Sequence, residues 1–296
     1  MRVLTRPDMD GIACAVLLKA VEPITEVRFT EPQLMHLGQV EVTGEDIICN
    51  LPFDPRCGMW FDHHKSNAPG PELKFSGRFG LEPSAARVVY QHYEGRPELA
   101  PFMELLEVTD RVDAAELTLD DVLNPSGYVL VALTLDPKSG LGRSEVYDHA
   151  LVDWLVSDTL PQLLERPEVK WRCQKLLQEQ ALCVDFLKAH SHQVGKLVVL
   201  DIRHEETIPA GNRFLIYTLF PTANCSMRIS RAADLPGRFG VSLGHSIFNR
   251  TCQIDVGQIL TRYGGGGHPA AGSSRIKGED LDRVVAELTE IMRQAE

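Results

Sequence analysis

The sequence has no pair of cysteines at C-x-x-C spacing, although its 296 residues include seven cysteines, at positions 14, 49, 57, 173, 183, 225 and 252. That removes a zinc ribbon and a dithiol redox site from consideration. Cys14 and Cys49 fall inside apolar runs, where a thiol acts as small hydrophobic filler, and a disulfide framework does not suit the reducing cytoplasm expected for this chain. No apolar stretch approaches the ~18 residues that suggest a membrane span. The first residues meet Arg6, Pro7, Asp8 and Asp10 before any apolar run develops, so no signal peptide is expected. Positive charge is short too: 30 Lys and Arg stand against 41 Asp and Glu, a formal charge of −11. A protein that coats long nucleic acid relies on surplus cations to neutralise phosphates, and a processive single-strand nuclease needs a groove of interleaved basic and aromatic residues. Neither pattern is present, and there is no internal repeat or low-complexity tract. A short phosphate-bearing substrate in a locally cationic cleft remains compatible with this balance.

What is there is enough chain for two ordinary domains, with an apolar fraction of 44% that fits a globular protein. Strand-like segments at residues 3–5, 26–30, 47–49 and 59–61 alternate with helix-like ones at 12–21, 83–93 and 99–108. Such alternation implies a mostly parallel sheet covered by helices. Residues 147–192 turn almost wholly helical. Strands are then expected at 197–202, 214–220, 225–229 and 241–243. An amphipathic helix through Leu281, Val284, Val285, Leu288, Ile291 and Met292 closes the chain. The expected architecture is α/β: a parallel-sheet N-terminal domain over residues 1–150, a helical connector over 151–192, and a smaller mixed α/β C-terminal domain over 193–296.

Three strand ends carry polar groups. Asp8 and Asp10 follow the first strand in Asp8-Met9-Asp10-Gly11, Asn50 closes the third, and Asp62-His63-His64 closes the fourth. Ligands of open parallel sheets bind beyond the carboxyl ends of the strands, so these distant residues converge on one edge. Carboxylates with imidazole suit a borderline divalent ion, with Mn²⁺ preferred and Mg²⁺ or Co²⁺ admissible. Asp-x-Asp-Gly alone also fits a turn that caps a helix. Asp62, His63 and His64 together give a strand tip no structural gain, and they point to chemistry. The run Gly264-Gly265-Gly266-Gly267-His268-Pro269-Ala270-Ala271-Gly272 is the third signal. Each glycine loses about 0.5–1 kcal/mol relative to alanine, which close approach of backbone N–H groups to an anion would repay. His268 is placed to donate to a phosphate oxygen.

These three motifs, in this order, resemble the DHH phosphoesterases with their DHH-associated C-terminal domain. The nearest likeness is to the proteins called exopolyphosphatase-like, or oligoribonuclease and phosphoadenosine-phosphate phosphatase. The resemblance covers nearly the whole chain. It implies a metal-dependent hydrolase of phosphoester or phosphoanhydride bonds, with a two-metal centre in the first domain and a phosphate grip in the second. It implies Asp8, Asp10, His63 and Asp110 as metal ligands, with Asp113 the alternative to Asp110. Asp62 would orient the histidines, and His64 would face the scissile phosphate. Gly265, Gly266, Gly267, His268 and Arg228 would hold the substrate.

Two positions depart from the pattern: Leu4 stands where many relatives carry a histidine, and Asn50 where many carry a bridging aspartate. Asn50 can coordinate through its oxygen but brings no charge, so one ion is expected to be held well and a second, near Asp8, weakly. A nucleotide- or phosphate-sensing module of low activity is the alternative function. The intact set of Asp8, Asp10, His63, His64 and Asp110 favours turnover. Oligonucleotide, phosphoadenosine phosphate, cyclic dinucleotide and polyphosphate all remain open as substrates. No membrane partner is expected, and a homodimer is compatible with the sequence.

Overall fold

Val3, Leu4 and Thr5 are fully buried because β1 (Arg2–Thr5) runs inside a sheet with strands on both sides. In this computed structural model, which describes residues 1–232 and 235–294, β1 pairs in parallel with β2 (Glu26–Phe29) and with β3 (Asp46–Cys49). The helices α1 (Met9–Val21) and α2 (Pro32–His36) lie between these strands in sequence. β4 (Met59–Asp62) and β5 (Gly77–Phe79) complete a five-stranded, all-parallel sheet of order β2-β1-β3-β4-β5. Strands covered on both faces read as unbroken apolar runs, and Ile47, Ile48 and Cys49 are fully buried. The α1 residues Met9 to Leu18 are all buried, which is why that helix is apolar all round rather than striped.

Helices α3 (Ala85–His92), α4 (Met103–Asp113), α5 (Leu119–Leu123), α6 (Gly127–Thr134), α7 (Glu145–Ser157) and α8 (Leu160–Leu164) follow. α1 packs against α3, α4 and α7. The chain divides into two compact units, Met1–Lys175 and Leu176–Glu296. The division falls inside α9 (Pro167–His190).

The second unit is built on a mixed six-stranded sheet. β6 (Ser191–Val194) and β7 (Leu197–Asp201) form a hairpin, and β7 pairs in parallel with β8 (Cys225–Arg231). Between them α10 (Leu215–Leu219) occupies the segment expected as a strand at 214–220. Leu215, Ile216 and Tyr217 are all buried there, and an apolar run this short cannot declare its period. β9 (Arg238–His245), α11 (Val256–Thr261), β10 (Gly266–His268), β11 (Ala271–Lys277) and α12 (Leu281–Gln294) complete the order β10-β11-β9-β8-β7-β6. Cys225, Met227, Ile229, Val241, Leu243 and Ile276 pack in one core with Val256 and Leu260 of α11 and with Leu281, Val284, Leu288 and Met292 of α12. The closing helix therefore buries the stripe read from its sequence. Among the described residues no helix is long and apolar enough to cross a membrane.

Candidate active site

The strand order of the first unit reverses between β1 and β3, and such a switch point is where open α/β sheets place their ligands. Asp8 follows β1 and Asn50 follows β3, and they meet there: the Asn50 Nδ2 donates to Asp8 Oδ1 at 3.1 Å. Asp8 also caps α1, its Oδ1 accepting from the Gly11 N–H at 2.9 Å, and its Oδ2 lies 3.2 Å from Arg6 Nε. Gly11 is required by close approach, because a Cβ there would sit 2.0 Å from the Arg6 carbonyl oxygen. The Arg6 guanidinium is held above its usual pKa chiefly by Asp8, with Glu31, Asp113 and Asp10 adding to the effect. Leu4, in contrast, packs in a core with Ile48, Leu51 and Trp60.

Asp10 lies in the first turn of α1 with 1% of its surface exposed. Its oxygens accept the first two N–H groups of α3, Ala85 at 2.9 Å and Ala86 at 2.8 Å. A helix N-terminus favours the anion, but burial dominates and pushes the Asp10 carboxyl up, with His63 opposing it. His63 is fixed from behind: its Nδ1 is 3.0 Å from the Glu82 carbonyl oxygen, which assigns the proton to Nδ1 and the lone pair to Nε2. That Nε2 is buried with no hydrogen-bond partner. It stands 3.7 Å from Asp10 Oδ2 and 3.3 Å from Asp113 Oδ2.

A lone pair facing two carboxylates is repulsive unless a cation lies among them. Ligands about 2.1 Å from a small divalent ion are roughly 3 Å apart when adjacent, so these three groups fit such an ion. The Oδ1 of Asn50 is also buried and without a hydrogen-bond partner. Asn50 adopts a left-handed backbone with φ 56°, a conformation that Asn and Asp tolerate better than other side chains.

Asp113, rather than Asp110, joins Asp10 and His63 in this cluster. The two lie three residues apart on α4, on adjacent positions of one face. Asp110 is engaged elsewhere: its Oδ1 accepts from Ser84 Oγ at 2.6 Å, and its Oδ2 accepts from Arg87 Nε at 2.7 Å and from Arg87 Nη2. Ser84 in turn caps α3 by accepting from the Arg87 N–H at 3.0 Å. Asp110 thus fastens the helix end whose N–H groups hold Asp10. Sequence reading had no signal for this tether, or for the Ala85 and Ala86 amides and the Glu82 carbonyl.

Asp62 is fully buried at the end of β4. It accepts from the His63 N–H at 2.9 Å and from Asn67 Nδ2 at 2.6 Å, and it holds His64 through Nδ1 at 2.7 Å. Asp62 thus sets the orientation of the His64 ring.

In the second unit the glycine run is a hairpin, not a loop, with Gly266 to His268 paired against Ala271 to Ser273. A Cβ at Gly265 would meet Ser273 O at 2.4 Å, and one at Gly267, whose φ is 151°, would meet Ala271 O at 2.3 Å. Those two glycines are demanded by packing. Gly266 is different, with nothing within 4 Å of its would-be Cβ. Arg228 lies on β8 and His268 ends β10, so both substrate-gripping candidates sit on the same sheet.

No family model and no curated protein matches the chain. Among solved structures it is similar to a pGpG-specific phosphodiesterase, PggH, from Vibrio cholerae, at 35% identity and a TM-score of 0.82, over 100% of this chain and 99% of that one. A DHH domain described as a member of the s1p family of ribosomal proteins shares the fold at 12% identity and a TM-score of 0.66, over 100% of this chain and 87% of that one. The exonuclease RecJ bound to manganese shares it at 14% identity and a TM-score of 0.55, over 99% of this chain and 90% of that one. With Asp62-His63-His64 at the end of β4 and full-length similarity at this identity, the chain belongs to the DHH family of metal-dependent phosphoesterases.

Proposed function

We propose that this protein hydrolyses the internal phosphodiester of a short guanine dinucleotide of the pGpG class, giving two molecules of GMP. The observation that carries the reading is the 35% identity, over the full length of both chains, to a pGpG-specific phosphodiesterase. The unpartnered His63 Nε2 between Asp10 and Asp113 supports a metal-dependent route. The ion-holding residues are Asp10, His63 and Asp113, with the Asn50 oxygen assisting. Mn²⁺ is the preferred ion for this donor set and Mg²⁺ or Co²⁺ the substitutes; the RecJ structure carries manganese.

When bound, the divalent ion supplies Lewis acidity for the attacking water and for the phosphate oxygens. Water adds its oxygen to phosphorus while the bond to the 3′ oxygen breaks. His64, held by Asp62 through Nδ1, is the proton donor to that leaving oxygen. Arg6, beside Asp8, is placed to offset charge on the phosphate. Arg228, His268 and the Gly266 amide are the second unit's own candidates for gripping a phosphate. Incubation of the protein with pGpG, phosphoadenosine phosphate, a cyclic dinucleotide and polyphosphate, each with Mn²⁺, Mg²⁺ and Co²⁺, tests the reading. GMP from pGpG as the fastest reaction is expected. Faster turnover of any other substrate, with pGpG left intact, refutes it.

A further inference from the structure

The second unit gathers two thiols and an imidazole that the phosphoester chemistry does not use. Cys225 opens β8 and His245 closes β9, and the two stand directly opposite each other in the antiparallel ladder. The Ser246 N–H donates to the Asn224 carbonyl at 2.8 Å. Cys225 and His245 are therefore a pair without mutual backbone hydrogen bonds, the kind whose side chains lie closest. Opposed residues share one face of the sheet, here the face on which Cys225 packs in one core with Met227, Ile229 and Cys252. Cys252 comes from the segment between β9 and α11. His245 Nε2 lies 2.9 Å from the Ile254 carbonyl oxygen, two residues past Cys252. The ring proton is thus assigned to Nε2 and the lone pair to Nδ1.

The two thiols are unequal. Cys252 is held below the usual thiol range by the Cys225 thiol first, against burial, and then by the His245 ring and the Ile254 N–H. Cys225 is pushed up by Cys252 and by burial. Burial also pushes Cys57, Cys173 and Cys183 up to about 11, and a thiol reacts through its thiolate. Access separates the pair in the same sense: Cys252 is 7% exposed, between the exposed Thr251 and Gln253, and Cys225 is 0% exposed. The trio is not among the groups whose ligand atoms are close enough to share one ion; among the described residues those groups belong to the first unit.

We propose that Cys252 and Cys225 form a reversible, peroxide-oxidisable dithiol, with Cys252 the attacking sulfur, Cys225 the resolving sulfur and His245 the proton carrier. The Cys252 thiolate attacks one oxygen of hydrogen peroxide and the O–O bond breaks. The departing hydroxide takes the imidazolium proton of His245 and leaves as water, and Cys252 becomes a sulfenic acid. The Cys225 sulfur then attacks the Cys252 sulfur, the S–O bond breaks, and the thiol proton of Cys225 leaves with that oxygen as a second water. Two thiols lose two electrons to one peroxide. A dithiol reductant reverses the bond, and reversible disulfides of this kind are the ones a reducing compartment tolerates.

The test exposes the full-length protein to hydrogen peroxide near the chain's own concentration, alkylates the remaining thiols under denaturing conditions, and maps the peptides by mass spectrometry. One disulfide between Cys225 and Cys252 is expected, with Cys57, Cys173 and Cys183 alkylated, and dithiothreitol should restore both thiols. In Cys225→Ser, dimedone should trap a sulfenic acid at Cys252; in Cys252→Ser, Cys225 should stay a thiol. His245→Gln should slow oxidation of Cys252 by about tenfold or more and move the pH dependence of its alkylation upward, which loss of a merely structural contact would not do. Oxidation of Cys57, Cys173 or Cys183 as fast as Cys252 overturns the assignment. So does wild-type protein without a Cys225–Cys252 disulfide, a result that depends on no variant.

Discussion

At the scale of single residues, the centre depends on side chains held in place by partners behind them. His63 is set by the Glu82 carbonyl and His64 by Asp62, and Asp10 is set by two helix amides. Asp113 and Asp110 show how far the sequence alone could go. Both are acidic, both lie on α4, and the motif around them fits either; only the Ser84 and Arg87 bonds to Asp110 distinguish a tether from a ligand. Asp113→Asn should abolish tight Mn²⁺ binding in equilibrium dialysis. Asp110→Asn should keep a bound ion and slow turnover about ten- to a hundredfold, as loss of an orienting partner does. The reverse pattern would restore Asp110 to the ligand set. Asn50 carries a second prediction. Asp8 already accepts the Gly11 N–H and the Asn50 amide and lies 3.2 Å from the Arg6 guanidinium, and the side chain at position 50 is a neutral amide that cannot offset the repulsion of two cations. One tightly held Mn²⁺ per chain is therefore expected after exhaustive dialysis. Asn50→Asp, which the left-handed backbone accepts, should raise the count toward two; two ions in the unmodified protein would contradict this.

At the scale of elements, segments whose own pattern and flanking turns declare them were legible, and those imposed by their neighbours were not. β1, β3, β4, α1 and α12 lie close to where alternation and periodicity put them. α10 was missed because a five-residue helix with only Leu215, Ile216 and Tyr217 buried carries no usable period. The β10–β11 hairpin was missed because glycine has no strand propensity of its own, and this pairing is imposed by neighbours. The glycine run accordingly serves two purposes that substitution can separate. Gly265→Ala and Gly267→Ala drive a Cβ into backbone oxygens and should lower the melting temperature by roughly 5–10 °C, for a loss of about 2–3 kcal/mol. Gly266→Ala meets open space. It should leave melting within about 2 °C and weaken pGpG binding, since the added methyl obstructs close approach of the amide to an anion. Unaltered binding in Gly266→Ala would reduce the run to a packing device.

At the scale of the molecule, charge is distributed against its own average: a net −11, with one sheet face bearing arginines and no acid from β8, β9, β10 or β11. That pattern suits a substrate with few phosphates. Long single strands gain affinity from every phosphate they can neutralise, and an acidic surface denies them that gain. Turnover should therefore fall steeply from a dinucleotide to a 20-nucleotide strand, by about a hundredfold or more at physiological salt; equal rates would indicate an extended binding groove. The most direct test of the central claim is GMP release from pGpG as Mn²⁺ is titrated into metal-stripped protein, followed in wild type and in His63→Ala. Release is expected to be absent without the ion, to rise to saturation as Mn²⁺ fills the wild-type centre, and to stay more than about a hundredfold lower in His63→Ala. Release without any divalent ion, or an undiminished rate in His63→Ala, would contradict a metal centre built on Asp10, His63 and Asp113.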